Sequence, residues 1–267
     1  MVSDLGYSGG SRNTSDPLEV KLAGEVQKLL LPKGSPSCGW CCMVARSRMA
    51  NVLGGDFYDF IELEDGCQVL LVGDVTGHGL HASVVMALVY GFIHRAVRDV
   101  CNPHEVVSAL NKCLRTFAQR SEKLDHFFSA TLFFGIVDPQ SKSISYVNAG
   151  HPAGLVKRKG ELLRLTATSH PVGYFDQAEF QVDSFQFAEH DRLLLYTDGV
   201  IDNCNPHGEM FGSERLDQTV RKLEGDSMAF LDGLFAEVRH YLNGQPFFDD
   251  CTAIVVDFHD DDIQGEC

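Results

Sequence analysis

The 267-residue sequence predicts an α+β domain in which antiparallel sheets are covered by pairs of helices. Three observations carry that expectation. Short apolar runs bounded by Gly, Pro, Asn and Asp follow one another in meandering groups, the pattern of antiparallel strands. Longer stretches with helical apolar spacing come in consecutive pairs between those groups. Strand and helix do not alternate one for one, as they do in parallel α/β folds. No Pro/Gly-rich linker divides the body and no internal repeat is present.

Taken in order, residues 1–16 are polar and Ser/Gly-rich and read as a disordered leader, not a signal peptide. Asp16-Pro17 then caps a helix over 17–31, stopped by Pro32. Its Leu22, Val26, Leu29 and Leu30 form one stripe, expected to dock on the chain's own core, with a second copy of the chain (a homodimer) as the other reading. Strands are expected over 38–47 and 57–63. Glu64-Asp65-Gly66 turns into a third strand that ends at Asp74. A long apolar helix covers 80–97. Asn102-Pro103-His104-Glu105 pairs an N-cap with a proline at the first helical position, opening a helix that buries Val106, Val107, Leu110, Leu114 and Phe117. Strands follow over 127–137, 143–148, 154–157, 161–165, 180–187 and 192–197. Two helices come next, one capped by Ser213 and one beginning near Ser227, and the last strand covers 251–258. The body runs over 17–262 as a single domain, with 263–267 as a tail.

Composition narrows the function. A hydrophobic content of 44% and a charged content of 22% describe an ordinary globular protein. The formal net charge of -15 argues against nucleic-acid and anionic-membrane partners, both of which call for a basic face. The longest apolar runs fall far short of the ~20 residues of a membrane span. The nine cysteines are odd in number and scattered, and read as reduced thiols of a cytoplasmic protein.

The chemistry lies in acids at strand ends. Asp56 follows two glycines, Asp74 closes an apolar run, Asp198 precedes Gly199, and Asp249 stands beside Asp250 after Phe247-Phe248. Singly, each reads as a turn residue. Together, with no Lys or Arg beside them, they would repel unless cations joined them, and carboxylates in such number suit Mg²⁺ or Mn²⁺. Two such ions roughly 3.5–4 Å apart can share a water and aim it at phosphorus. Two other patterns are weak. Cys42 and Arg48 have the spacing of a cysteine-dependent phosphatase loop, but the stretch between them lacks glycine and reads as strand. Cys38 and Cys41 have zinc-pair spacing without a second pair.

Gly54-Gly55-Asp56-Phe57-Tyr58-Asp59, Gly73-Asp74-Val75-Thr76-Gly77-His78-Gly79, Asn148-Ala149-Gly150-His151-Pro152, Tyr196-Thr197-Asp198-Gly199-Val200 and Asp249-Asp250-Cys251-Thr252 occur in that order. Together they resemble the bacterial branch of the metal-dependent type-2C (PPM) protein serine/threonine phosphatases, the branch of stage II sporulation protein E and the partner-switching stress-response phosphatases. The resemblance spans residues 22–258. It implies a sandwich of two antiparallel β-sheets flanked by helical pairs. It implies two Mn²⁺ or Mg²⁺ ions held by Asp56, Asp74, Asp198 and Asp249, with Asp74 bridging and the Val75 carbonyl as a further ligand. Asp250 is the alternative to Asp249. The implied reaction is direct hydrolysis of phosphoserine or phosphothreonine on a protein, the substrate being a STAS-domain anti-sigma-factor antagonist. His78 could donate a proton to the leaving alkoxide or hold its loop, and the same choice stands for His151. Met49 replaces a proline frequent in the family, and the branch lacks the phosphate-gripping arginine of eukaryotic relatives, leaving Arg46 and Arg48 as surface residues or phosphate contacts. Relatives of this branch usually carry a sensor or receiver domain. None is recognised here, so an excised catalytic domain or a regulator acting in trans is expected. The alternative function is a pseudophosphatase that binds phosphoprotein without turnover.

Overall fold

The two-residue alternation along the strands decides the layering of this protein. In the computed structural model, which describes residues 17–34, 37–98, 102–120, 123 and 127–259, two antiparallel sheets lie face to face with helices on both outer surfaces. The six-stranded sheet has the order β1 (Ser37–Cys38), β2 (Cys41–Arg48), β11 (Cys251–Phe258), β10 (Arg192–Tyr196), β7 (Gly154–Arg158), β8 (Glu161–Leu165). The five-stranded sheet has the order β3 (Asp56–Glu62), β4 (Gln68–Val75), β5 (Ala130–Asp138), β6 (Ser143–Ala149), β9 (Asp183–Gln186). The sandwich expected from the resemblance is therefore the observed architecture.

Odd and even positions of one strand feed different cores. On β4, Leu70 and Val72 meet the other sheet, while Val69, Leu71 and Val75 meet the helices α2 (Leu80–Ala96) and α3 (Pro103–Ala118). On β10, Leu193 and Leu195 face inward, while Leu194 and Tyr196 pack under α5 (Ser213–Lys222) and α6 (Ser227–Leu242). A strand buried on both faces reads as an unbroken apolar run, which is why 69–72 and 193–195 do. Each fully buried Leu or Phe in these layers stabilises the fold by about 1.5–3 kcal/mol.

Several expected boundaries shift. The strand over 38–47 is two strands, because Gly39-Trp40 forms a tight hairpin between β1 and β2. Strand β4 does not stop at Asp74: Val75 pairs with Ala130 on β5. The strand over 180–187 shrinks to Asp183–Gln186 on the sheet edge. The caps at Asn102 and Asp226 accept N–H groups from their first helical turns, but Ser213 is already helical, and Gly212, at φ 78, precedes it. A one-turn helix, α4 (Gly199–Asp202), starts at Asp198 and has no helical period long enough to be read from sequence. The proposed leader, the Asp16 cap and the 263–267 tail lie outside the described residues.

Helix α1 (Pro17–Leu30) docks by a different face from the one its apolar stripe suggests. Leu22, Val26 and Leu29 are 58%, 60% and 63% exposed, so the expected docking of that stripe on the chain's own core is overturned. Gly24 and Gln27 are the buried positions. A Cβ on Gly24 would sit 2.7 Å from the Val52 carbonyl oxygen, so only glycine lets the helix approach this closely. The Gln27 amide donates to the Gly54 carbonyl at 2.7 Å and accepts the Gly54 N–H at 3.2 Å. Only Leu30 and Leu31, at its C-terminal end, pack on the apolar cores.

The reading of all cysteines as reduced thiols is also corrected. Cys41 and Cys42 are each disulfide-bonded, whereas Cys113, Cys204 and Cys251 keep their thiols. Among the described residues no helix is long and apolar enough to cross a membrane.

Replacing Gln27 by Ala leaves two buried backbone groups of Gly54 without partners. The expected loss is about 1–3 kcal/mol for each group that water does not recover, seen in urea titration as a lower midpoint with little change in slope.

Candidate metal centre

The inward rows of the sandwich run from hydrocarbon into oxygen at one end. Beyond Leu70 and Val72, the next inward position of β4 is Asp74. On β3, Phe60 and Tyr58 lead to Asp56, and on β5, Val137 and Phe133 lead to Thr131. Across the sandwich, Leu195 leads to Thr197, and Ile254 to Thr252. The strand period thus delivers acids and hydroxyls to one end of an otherwise apolar core.

Asp56 and Asp74 are directly opposite one another in the β3–β4 ladder. Like charges in that position destabilise a sheet. Burial, and then the neighbouring Asp56, Asp198, Asp249 and Asp250, push the Asp74 carboxyl up to about 10. Asp56 is fully buried and is likewise held well above the usual carboxylate range, chiefly by desolvation, although Thr252 and Thr197 hydrogen bonds oppose the shift. The Thr197 hydroxyl donates to Asp56 Oδ2 at 2.8 Å, joining the two sheets at the site. Asp198 is raised by burial, then by Asp249 and Asp202. Asp202, on α4, is raised by burial and by Asp249, and so joins the group.

Asp249 and Asp250 separate by environment. Asp250 accepts the Ala50 N–H on one carboxylate oxygen at 2.8 Å and the Gly55 N–H on the other at 2.9 Å. Asp249 accepts only the N–H of Asp250 at 2.8 Å, and it stands nearest in charge to Asp198 and Asp202. Asp249 raises Asp74, Asp198 and Asp202, while Asp250 ties the Gly54-Gly55 loop and also raises Asp56 and Asp74. Those glycines are required by space. A Cβ on Gly54 would meet Asp250 Oδ2 at 2.0 Å, and one on Gly55 would meet the Val75 carbonyl oxygen at 2.8 Å and Asp74 Oδ1 at 2.9 Å.

Whether this group suits divalent cations follows from its donors. Asp56, Asp74, Asp198 and Asp249, with the Val75 carbonyl, are all hard oxygen donors, and no lysine or arginine contributes to the shift at Asp74. Mg²⁺ and Mn²⁺ prefer such sets and keep waters of their own. Among the described residues no three acidic, histidine or cysteine side chains close on one point as a finished shell. The fit therefore rests on donor chemistry and on shared charge.

Supporting residues were harder to foresee. Asp59, inside the first motif, is turned to the opposite face of β3, where it accepts the Tyr90 hydroxyl and stands 2.6 Å from His94 Nε2, pinning α2 to the strand that carries Asp56. His151 is fully buried. Its Nδ1 lies 2.8 Å from the hydroxyl of Thr131, the cross-strand neighbour of Asp74. Its Nε2 is buried without a hydrogen-bond partner among the described residues, and burial pushes its pKa down to about 3, the Tyr196 backbone opposing the shift. His78 is exposed on the turn after Val75, between Gly77 and Gly79, both at positive φ. Arg46 pairs with Asp232 and lies over the Phe235 ring, on the α6 side of β2, and Arg48 occupies the same face two residues on. The period of β2 thus aims both arginines away from the acids.

The sequence matches the stage II sporulation protein E (SpoIIE) family over residues 64–259. It is 30% identical over 261 residues to Protein IcfG of Synechocystis sp., an overlap covering 90% of this chain and 41% of that protein. It is 34% identical over 154 residues to the phosphoserine phosphatase RsbP of Bacillus subtilis, covering 57% of this chain and 38% of that one. The chain thus spans less than half the length of these two relatives. The SiaA PP2C domain of Pseudomonas aeruginosa superposes with a TM-score of 0.77 at 20% identity, covering 91% of this chain and 96% of that structure, a likeness of fold.

Two measurements test the geometry. Asp249→Asn is expected to weaken Mn²⁺ binding by calorimetry beyond the about 10–100-fold typical of a supporting residue, whereas Asp250→Ala lowers the unfolding midpoint first. His151 is neutral when folded, and its pKa is depressed from 6.5 to about 3. Its stabilising contribution is full above 6.5 and is lost as pH falls toward 3. Between about pH 7 and about pH 5 the loss is on the order of 2 kcal/mol, and denaturant titrations of His151→Gln should show a correspondingly flatter acid limb.

Proposed function

The chain belongs to the stage II sporulation protein E family, and from that membership we propose that it is a metal-dependent protein serine/threonine phosphatase. The observation that carries the reading is the convergence of buried carboxylates on Asp74 without a compensating cation from the chain. Asp56, Asp74, Asp198, Asp249 and the Val75 carbonyl would hold two Mn²⁺ or Mg²⁺ ions, Asp74 serving both. When bound, the ions supply charge neutralisation at the phosphoryl group and a nucleophile of lowered pKa.

The chain's own residues do the rest by position. Thr197 and Thr252 hold the Asp56 carboxylate, and Asp250 holds the loop that brings Gly55 against Asp74. His78, at the lip, protonates the leaving serine or threonine oxygen. The domain occupies 17–262. The substrate is a phosphoprotein, in keeping with the name of the relative RsbP, and by the family resemblance a STAS-domain anti-sigma-factor antagonist. The net charge of -15 disfavours nucleic acid. The outward stripe of α1 supports pairing with a second copy of the chain.

Hydrolysis of p-nitrophenyl phosphate by wild type should require Mn²⁺ or Mg²⁺, and Asp74→Asn should lower kcat by about 10²–10³-fold or more. Phosphoprotein binding with no metal-dependent turnover would instead make this a pseudophosphatase. His78→Gln is expected to slow phosphoserine release by about 10²-fold. It should spare p-nitrophenyl phosphate, whose leaving group needs no proton.

A further inference from the structure

Beside the acids, an apolar groove of about 710 Å³ opens between α4 and the segment leading into β11. Its walls include Pro206, Met210, Pro246, Phe247 and Phe248, and it ends at Asp249. Phe248 is 83% exposed and Met210 59%, so two large apolar side chains of the same groove stand in water. Neither is a loose tip. Asn203 is completely buried, donates to the Gly199 carbonyl and accepts the Phe248 N–H at 2.6 Å, which fixes the aromatic residue to α4. Met210 sits in a closed turn whose Cys204–Met210 bridge and Tyr241 hydroxyl, donating to the Met210 carbonyl at 3.1 Å, hold its backbone. Preorganised aromatic and Met side chains on a concave surface are the usual anchors of recognition.

Resting on the phosphatase reading above, we propose that this groove selects the substrate by seating an apolar side chain close in sequence to its phosphorylated serine. Continuity with the site sets the distance. Asp249 belongs to both groove and acid cluster, and an extended chain advances about 3.3 Å per residue, so the side chain that the groove takes lies within a few residues of the phosphoserine. Charge sets the polarity. The lining holds neither lysine nor arginine, so it offers no cation to acidic flanks or to a nucleotide's further phosphates, and its Pro, Met and Phe side chains accept apolar ones. The occupant is a phosphoprotein segment with a Leu- or Phe-like residue beside the modified serine.

The test compares two phosphoserine peptides that differ only at the positions two and three residues away, Leu in one and Asp in the other, with p-nitrophenyl phosphate as a substrate without flanks. Wild type should favour the Leu peptide by about tenfold in kcat/KM, expressed in KM, as expected for binding shared by ground and transition states. Phe248→Ser and Met210→Ser should each reduce that preference, and the double variant should abolish it. Equal use of the two peptides by wild type, or a preference that survives the double variant, overturns the proposal. So does an equal loss on peptide and p-nitrophenyl phosphate, because Phe248 would then be supporting Asp249 and not the substrate. A wild type inert toward p-nitrophenyl phosphate with Mn²⁺ brings down the phosphatase reading itself, and this inference with it.

Discussion

Two carboxylates placed face to face on neighbouring strands are the constraint around which this structure is arranged. Asp56, fully buried, and Asp74, half-buried, oppose one another, and Asp198 and Asp249 add charge from the other sheet. Uncompensated burial of this kind costs several kcal/mol per ion. The fold tolerates it because the rest of both sheets is densely apolar: Leu70, Val72, Phe133, Leu193, Leu195, Ile254 and Val256 form one continuous inter-sheet core behind the acids. Stability and site are therefore continuous, and they share strands. The hydrocarbon end holds the sheets together, and the oxygen end is left with charge that a divalent cation can use.

The loops complete what the strands begin. The Gly54-Gly55 segment is held from two directions, by Gln27 of α1 on one side and by the Asp250 carboxylate on the other. A helix that precedes both sheets in the chain thus touches a residue two positions from Asp56. Tyr90 and His94 of α2 reach the same strand through Asp59. Movement of either helix is coupled to the acids by hydrogen bonds to buried groups, which are costly to leave unmade. On the far side, Asn203 joins α4 to Phe248, which ties the wall of the apolar groove to the residue next to Asp249.

Much of this was legible from residue order. The antiparallel α+β class, the paired helices, the Asn102 cap and the acids at 56, 74, 198 and 249 follow from apolar period, turn chemistry and motif order, which are local properties. The acid motifs were visible because a charge at the end of a doubly buried strand breaks a pattern. Asp59 was hidden by the same rule: within Phe57-Tyr58-Asp59-Phe60 it reads as one more acid, and only the pairing of β3 with β4 shows which face it takes. Helix α4 was too short for a period to emerge. The docking of α1 misled because Leu22, Val26 and Leu29 face solvent, while Gly24, the amide of Gln27 and Leu30 make the contact.

The sequence by itself determined the composition of the strands and helices, and which residues bring acid to the site, because side-chain alternation is fixed by covalent geometry. Tertiary structure alone decided how those acids differ. Asp249 and Asp250 are adjacent and chemically identical, yet one faces Asp198 and the other is committed to the N–H groups of Ala50 and Gly55. Arg46 is near the site in sequence, yet it pairs with Asp232 on the opposite face of β2. The physical reason is that a role such as ligand, clamp or ion-pair partner depends on which groups lie across the sheet, and those groups come from chain positions as far apart as Gly55 and Asp250.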